Sequence, residues 1–380
     1  MTDKKLLAQQ FEQYFDVMAD CFVHAPGRVN LIGEHTDYNG GFVLPAAINF
    51  GTDIVAKARE DRQVNVVALD YAQQQASFSL DDIQHDHAMG WSNYIRGVLL
   101  ILQKHFPLSK GADLVVTGNV PQGAGLSSSA SFEIAILKCF AELNQLPLDG
   151  IQAALLGQQA ENEFVGCSCG IMDQLISAMG HKDQAMLLDC RSLQVEFTPI
   201  PPQHSLMIIN SNVKRGLVDS EYNLRRQQCE QAAKVMQVEL LRDADMNMLV
   251  QHKSSLSREA YLRARHVISE NDRTVAMFEA LKHADMPRIS ELMRQSHLSM
   301  QEDFAITVKP IDILVDIIHA ELGERGGVRM TGGGFGGCVI ALVPDDLVES
   351  IQATIEQQYQ SQTGIKESVF ICTAEQGAFA

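Results

Sequence analysis

The stretch "VPQGAGLSSSAS", from Val120 to Ser131, places two glycines and four serines within nine residues. Before it, "ADLVVTGNV" has the β-branched residues typical of a strand, and after it "SASFEIAILKCFAELNQ" has apolar residues at helical spacing. The serines are therefore expected in the first turn of a helix. A strand, a glycine-rich turn and a helix start together favour an anion, because free backbone N–H groups and the helix dipole point at it. Such tight flanking elements argue against a flexible linker.

The stretch is not a Walker A loop, because no lysine follows its second glycine, Gly125. Leu126 and Ser127 come next. One serine is expected to cap the helix, since serine is a favoured N-cap residue. Capping accounts for only one of the three consecutive serines, so the other hydroxyls are predicted to donate to phosphate or to bind Mg²⁺.

The order of elements predicts an α+β fold in two units. A chain of 380 residues exceeds one ordinary core. Strands are predicted mainly in the first part of the chain, and helices follow. The last part has the patterns of two strands, a helix and a further strand, so the whole order differs from the regular βαβα alternation of a doubly wound sheet. The prolines of "FTPIPPQHS" mark the weakest junction. We therefore predict domains at residues 1–200 and 201–380.

Composition and charge exclude several classes of protein. With 46% hydrophobic residues, the chain is typical of a globular protein, and a net charge of −17 argues against a nucleic-acid partner. A single positive pocket for phosphate remains compatible with that charge. We find no signal peptide and no apolar run long enough for a bilayer. Eight cysteines without a CxxC pair predict thiols in a reducing compartment, hence a cytoplasmic protein without a membrane partner.

A second polar stretch, "GRVNLIGEHTDYNGG", is a candidate binding loop. It places Arg28, Glu34, His35, Asp37 and Tyr38 within eleven residues. Carboxylates and imidazole can hydrogen-bond sugar hydroxyls in pairs. The same residue types can bind a metal, but their spacing matches no common zinc pattern. An ordinary polar loop is the remaining alternative.

A third stretch, "GGVRMTGGGFGGC" (Gly326–Cys338), is rich in glycine between two apolar strands. A hairpin needs only two turn residues, so the further glycines indicate a backbone that approaches a ligand. By contrast, Asp173 taken alone is an ordinary acid in the first turn of a helix. We predict no role for Trp91, and we interpret the long helical segment Ser257–Leu281 as scaffold.

The three stretches, in this order, resemble the three signature motifs of the GHMP small-molecule kinases. "CGIMDQ" and "SEYNLRR" also match, and the motifs extend from Gly27 to Cys338. The first motif, in this form, resembles the galactokinase signature. The resemblance implies an α+β, two-domain GHMP kinase fold with the active site in the interdomain cleft. It also implies that the enzyme transfers the γ-phosphoryl group of ATP to the anomeric hydroxyl of galactose.

The resemblance further implies roles for individual residues. Asp173 is expected to be the proton acceptor and Arg28 the stabiliser of the transition state. The implied galactose-binding residues are Glu34, His35, Thr36, Asp37, Gly170 and Tyr222. The implied ATP loop is Gly123, Ala124, Gly125, Leu126, Ser127, Ser128 and Ser129. The implied Mg²⁺ ligands are Ser129 and Glu161.

Two alternatives to this function remain open on the sequence. The first is a GHMP kinase for N-acetylgalactosamine, mevalonate or homoserine. The loop "GEHTDY" favours a sugar over the last two, but it leaves the space near the sugar's C2 undecided. The second is a non-catalytic galactose sensor that binds a regulatory partner. Family resemblance also implies a monomer whose partners are galactose and ATP.

Overall fold

The computed structural model describes residues 4–121, 125–167, 169–213 and 218–380. The strands are β1 (Cys21–Asn30), β2 (Phe42–Val43), β3 (Pro45–Ala58), β4 (Gln63–Ala68), β5 (Gln74–Ser79), β6 (Ala112–Gly118), β7 (Gln184–Asp189), β8 (Val195–Pro199), β9 (His204–Asn210), β10 (Gly327–Thr331), β11 (Cys338–Pro344) and β12 (Ser368–Cys372). The helices are α1 (Lys4–Phe15), α2 (Ser92–His105), α3 (Ser128–Leu143), α4 (Gly150–Ala160), α5 (Met172–Met179), α6 (Val218–Met236), α7 (Met246–Gln251), α8 (Arg258–Lys282), α9 (Met286–Ser299), α10 (Lys309–Leu322) and α11 (Val348–Thr363).

The first half of the chain is built on a five-stranded sheet in the order β1-β3-β6-β4-β5. Its neighbours pair antiparallel except β4 and β6, which are parallel. Ile54 and Leu114 of the sheet pack with Ile95 of α2 and Ile134 of α3 in one buried cluster. This packing fixes the N-terminus of α3, and with it the serine stretch, at the end of β6.

The second half contains an antiparallel sheet in the order β10-β11-β9-β12. The predicted sequence of strand, strand, helix and strand at the end of the chain is confirmed by β10, β11, α11 and β12. Met330 and Val339 pack with Leu314 of α10 and Ile355 of α11. The turn between β10 and β11 is thereby held at the edge of this core.

A further buried cluster joins the two halves. It combines Leu31 and Leu44 from the first half with Ile208, Met277 and Ile340 from the second. The chain passes from β8, in a small sheet ordered β2-β7-β8, to β9 of the four-stranded sheet. The predicted domain division after residue 200 lies in this connection, and the division itself stays a prediction.

We find no membrane-spanning candidate among the helices of the described ranges, since none combines the required length with sufficient hydropathy.

Candidate active site

The serine stretch starts α3 as predicted, but Ser127 does not cap the helix. Ser127 occupies the N-cap position with a left-handed backbone (φ 60°) and makes no side-chain capping hydrogen bond. Its hydroxyl instead donates to Oδ2 of Asp173. The capping expectation is therefore wrong for Ser127, because the left-handed backbone aims the hydroxyl at α5. Gly123 and Ala124 of the predicted ATP loop lie outside the described residues.

Arg28 reaches this loop through an irregularity in β1. The register with β3 shifts between Pro26 and Arg28, as a β-bulge does when it re-aims a side chain. A Cβ on Gly27 would lie 2.7 Å from the carbonyl oxygen of Leu126. That carbonyl accepts a 3.1 Å hydrogen bond from the Arg28 backbone N–H. Only glycine permits this close approach. It brings Arg28 next to residues 125–129, the described part of the serine stretch before and at the start of α3, which we call the serine loop.

Arg28 and Asp173 form a two-pronged ion pair. Nε of Arg28 donates to Oδ1 of Asp173 at 2.7 Å, and Nη2 donates to Oδ2 at 2.8 Å. Nη1 donates to the carbonyl of Gly125 at 2.6 Å. With the bond from Ser127, described residues occupy three of about four acceptor positions of the Asp173 carboxylate. The remaining position, on Oδ1, has no partner among the described residues and suits a substrate hydroxyl.

Glu34 is fixed from the other half of the chain. Its Oε1 accepts hydrogen bonds from Thr331 Oγ1 at 3.0 Å and from the Gly332 N–H at 2.9 Å. The buried guanidinium of Arg329 lies 3.3 Å from the same oxygen. These contacts orient Glu34. They also attach the loop formed by residues 33–42, which we call the sugar-motif loop, to the glycine-rich turn between β10 and β11.

His35 is a neutral hydrogen-bonding group in this loop. Its Nδ1 lies 2.8 Å from the hydroxyl of Tyr38, and the Tyr222 ring lies 5.1 Å from the imidazole. Burial and the nearby His266 lower the pKa of His35 to about 3. Its buried Nε2 has no hydrogen-bond partner among the described residues. A buried atom of this kind favours a ligand hydroxyl.

Asp37 and Gly170 lie in direct contact. A Cβ on Gly170 would lie 1.8 Å from Oδ2 of Asp37, so a larger residue cannot replace this glycine without moving the loop. Burial raises the pKa of Asp37 to about 6, and the charges of Asp173 and Glu34 add to the rise. Asp37 is therefore ionised at neutral pH with little margin.

Thr36 is the one residue of the predicted sugar set whose side chain faces away. It is fully buried, and its hydroxyl lies 2.9 Å from the Gly33 carbonyl and 2.6 Å from that of Phe42. Its hydroxyl therefore shapes the loop. The other predicted members of the set line one cavity, formed by Arg28, Gly33, Glu34, His35, Asp37, Cys167, Cys169, Gly170, Met172, Asp173, Tyr222, Gly332 and Gly333. We call this cavity the sugar pocket.

A second cavity is lined in part by the serine loop. We call it the aromatic pocket, and it is lined by Thr52, Ala68, Asp70, Tyr71, Trp91, Tyr94, Val116, Thr117, Gly118, Val120, Ser128, Ser129 and Phe132. Trp91 stacks on Tyr71 with a centroid distance of 6.1 Å and donates from Nε1 to Gln74 Oε1 at 2.8 Å. We predicted no role for Trp91 from the sequence, since no motif surrounds it. The serine loop thus lines the aromatic pocket with Ser128 and Ser129, and its Gly125 and Ser127 contact Arg28 and Asp173 of the sugar pocket.

Ser129 and Glu161 are brought together as a pair. Burial raises the pKa of Glu161, and hydrogen bonds from Cys169 and Ser129 act against that rise. Glu161 stands at the end of α4, where a short π-helical turn (Glu161–Val165) begins. A hydroxyl beside a carboxylate is an oxygen pair that suits Mg²⁺, which typically takes one or two carboxylates plus phosphate oxygens.

Two buried residues behind this pair were missed by the sequence reasoning. Nε2 of Gln174 donates to Glu161 at 2.7 Å and to Glu133 at 3.0 Å. Burial and the charge of Glu161 raise the pKa of Glu133 well above its ordinary value. The sequence carries a signal for both, because Gln174 follows Asp173 and Glu133 lies one helical turn after Ser129.

Three family models match segments of the chain. Residues 9–58 match the galactokinase galactose-binding signature, residues 93–181 match the GHMP kinases N terminal domain, and residues 277–361 match the GHMP kinases C terminal. The galactokinase of Lactococcus lactis, solved with galactose, is 33% identical, with a TM-score of 0.93 over 98% of each chain.

More distant structures share the fold. Mevalonate kinase of Methanococcus jannaschii is 19% identical, with a TM-score of 0.67 over 93% of this chain and 98% of its own. Phosphomevalonate kinase of Streptococcus pneumoniae, solved with phosphomevalonate and AMPPNP, is 14% identical, with a TM-score of 0.62 over 92% and 100%. Fold and site therefore define a small-molecule kinase of the GHMP class, with its active site between the two halves. Within that class, the chain belongs to the galactokinase family.

Proposed function

We propose that the enzyme transfers the γ-phosphoryl group of ATP to the anomeric hydroxyl of α-D-galactose, which gives α-D-galactose 1-phosphate and ADP. The observation that carries the proposal is the position of the Arg28–Asp173 pair. It lies in the sugar pocket and contacts the serine loop through Gly125 and Ser127. A phosphoryl donor on that loop would meet an acceptor hydroxyl at Asp173.

We assign Asp173 as the proton acceptor and Arg28 as the stabiliser of the transferring phosphoryl group. Phosphoryl transfer depends mostly on positioning and on charge stabilisation. The anomeric hydroxyl is more acidic than other sugar hydroxyls, because the ring oxygen withdraws electrons. Asp173 therefore first orients this hydroxyl with its open Oδ1 position and accepts the proton late in the transfer.

The sugar pocket supplies the hydrogen bonds expected for galactose. Glu34 and Asp37 offer carboxylate oxygens, and His35 offers a buried Nε2 with no partner among the described residues. Gly170 leaves room for Asp37, and the Tyr222 ring closes one side. Thr36 contributes through the loop's shape.

We place the base of ATP in the aromatic pocket and its phosphates on the loop Gly123–Ser129. The stacked Trp91 and Tyr71 offer flat apolar surfaces of the kind that bind a purine. Backbone N–H groups at the start of α3 favour the phosphates. AMPPNP bound to the related phosphomevalonate kinase supports an ATP site in this fold.

The donor set of Ser129 and Glu161 fits Mg²⁺, and we propose these residues as its protein ligands. When bound, Mg²⁺ supplies charge neutralisation for the phosphate oxygens of ATP. Gln174 holds the Glu161 carboxylate in place for this task.

The substrate assignment is tested by ADP release with galactose, 2-deoxygalactose, N-acetylgalactosamine, glucose and mevalonate. We expect galactose to give the highest kcat/KM and mevalonate to give none, because the pocket presents acceptors for several hydroxyls. Faster turnover of N-acetylgalactosamine would assign the chain to that sugar. If calorimetry shows that galactose binds but none of these compounds leads to ADP release, the result would favour a non-catalytic sensor.

The Mg²⁺ site is tested by alanine substitution of the three serines. Ser129→Ala is expected to raise the Mg²⁺ concentration that gives the half-maximal rate at least roughly tenfold. Even mutation of a residue that only hydrogen-bonds a metal ligand typically lowers metal affinity by this factor. Ser127→Ala is the matched control. It should lower kcat without that shift, because its hydroxyl bonds to Asp173. A larger Mg²⁺ shift for Ser127→Ala or Ser128→Ala than for Ser129→Ala would contradict the assignment.

We also propose a monomeric, cytoplasmic enzyme that performs the first committed step of the Leloir pathway of galactose metabolism. All eight cysteines lie in the described residues and none forms a disulfide, which is compatible with a reducing compartment.

A further inference from the structure

We propose that three residues of α8, namely His266, Glu270 and Asn271, position the sugar-motif loop for galactose binding. We call them the α8 clamp. The inference deepens the proposed function and rests on it. It also replaces our interpretation of segment 257–281 as scaffold.

The α8 clamp holds the loop's backbone at its beginning and at its end. Glu270 Oε1 accepts from the Gly33 N–H at 3.1 Å, and His266 Nε2 lies 3.1 Å from the Glu34 carbonyl oxygen. Asn271 Oδ1 accepts from the Phe42 N–H at 2.9 Å. His266 and Glu270, four positions apart, lie on one helix face, and Asn271 directly follows Glu270. The loop side chains that line the sugar pocket, those of Glu34, His35 and Asp37, lie between the attachment points at Gly33 and Phe42.

The clamp residues are themselves fixed by buried partners. Nδ1 of His266 lies 2.9 Å from the Ser299 hydroxyl, and Glu270 accepts from Ser296 at 2.6 Å and from Arg273 at 2.7 Å. His266 and Glu270 are fully buried. Hydrogen bonds in such surroundings are strong, because no water competes for them.

The protonation states of the clamp suit its contacts. Burial lowers the pKa of His266 to about 4, so the ring is neutral at pH 7. Its Nε2–H then donates to the Glu34 carbonyl, while Nδ1 accepts from Ser299. Burial alone would raise the pKa of Glu270, but nearby positive charge, above all that of Arg273, brings it down to about 2. Glu270 is therefore an ionised acceptor for the Gly33 N–H.

The loop requires such support, because its conformation is locally unfavourable. His35 has a left-handed backbone (φ 61°), which a non-glycine residue keeps only where the surroundings impose it. The centroid of the Phe304 ring lies 4.6 Å from that of the His35 ring and 4.6 Å from that of the His266 ring. Through this shared contact with Phe304, the clamp also supports the imidazole of His35. A Cβ on Gly41 would lie 2.2 Å from Oδ1 of Asn271, which shows how closely α8 approaches.

The clamp residues do not line the sugar pocket. They are positioning residues that act through the loop. Their loss should weaken galactose binding while ATP binding and turnover at saturation persist, because the serine loop and the Arg28–Asp173 pair contact other elements.

The test is Asn271→Ala, with Asn271→Asp as the rescue and Asp272→Asn, an exposed neighbour on α8, as the control. We expect Asn271→Ala to raise the galactose dissociation constant, measured by calorimetry without ATP, about tenfold. The KM of ATP and kcat at saturating galactose should change less than twofold. Asn271→Asp keeps the acceptor and should restore binding. Exchange of the Phe42 amide hydrogen should accelerate in Asn271→Ala alone.

His266→Phe provides an independent variant, since it keeps a ring against Phe304 and removes the hydrogen bonds to Glu34 and Ser299. It should show the same selective loss of galactose affinity. Unchanged galactose affinity in both variants would overturn the clamp. Equal weakening of galactose and ATP with a lower melting temperature would also overturn it, because that pattern means general destabilisation. If the wild-type protein binds galactose but releases no ADP, the proposed function is refuted. The galactose dissociation constants of the two variants would still test the clamp.

Discussion

Asp173→Asn is expected to lower kcat by roughly 10²–10⁴-fold, the range for losing a positioned acid–base group. Asparagine keeps the shape of aspartate, but it cannot take the proton of the anomeric hydroxyl. It also replaces one carboxylate oxygen that Arg28 and Ser127 now use. The measurement is kcat from ADP release at saturating galactose and ATP, with galactose binding followed by calorimetry.

Asp37→Asn is the matched control for this substitution, because it changes another carboxylate of the same cavity. It should mainly raise the KM of galactose, since Asp37 contacts Gly170 and the sugar-motif loop rather than Arg28. If Asp173→Asn instead kept kcat within tenfold of wild type, Asp173 would only orient the hydroxyl and another group would accept the proton.

Arg28→Ala is expected to lower kcat/KM by about 100–1,000-fold, which corresponds to about 2.7–4 kcal/mol for one preorganised donor. Arg28 stands between Asp173 and the Gly125 carbonyl, so its charge lies where the phosphoryl group would pass. The loss should fall on kcat more than on ATP binding. Steady-state kinetics with both substrates, together with ATP binding measured directly, separates the two effects.

Arg28→Lys is the comparison variant, since it keeps the charge and loses the fork-shaped contact with Asp173. It should recover part of the lost kcat. Turnover near the wild-type rate in Arg28→Ala, with Asp173→Asn inactive, would show that Arg28 does not stabilise the transferring group.

The serine loop shows how far sequence reasoning reached. The apolar patterns on both sides of Val120–Ser131 placed the serines correctly between a strand and a helix, because both patterns are local. They could not assign the individual hydroxyls. Ser127 bonds to Asp173 across 46 positions of the chain, and no local pattern encodes that contact.

Thr36 and the α8 clamp show the same limit on the sugar side. Thr36 belongs to the polar stretch, yet its hydroxyl lies against the loop's own backbone. His266 and Asn271 belong to an unremarkable helical pattern, yet they hold the loop across more than 220 positions, from Phe42 to Asn271 and from Glu34 to His266. Which face of a helix meets which loop is decided by packing.

The sequence by itself determined the fold class, the order of the three motifs and the chemical types of the site residues. These follow from local periodicity, from glycines needed at close approaches such as Gly27 and from the residue types at matching positions. Only the tertiary structure decided the pairings of Arg28 with Asp173, of Ser129 with Glu161 and of α8 with the sugar-motif loop. The physical reason is that each pairing joins segments far apart in the chain, and the hydrophobic clusters on which those segments pack, not local preference, set their distance.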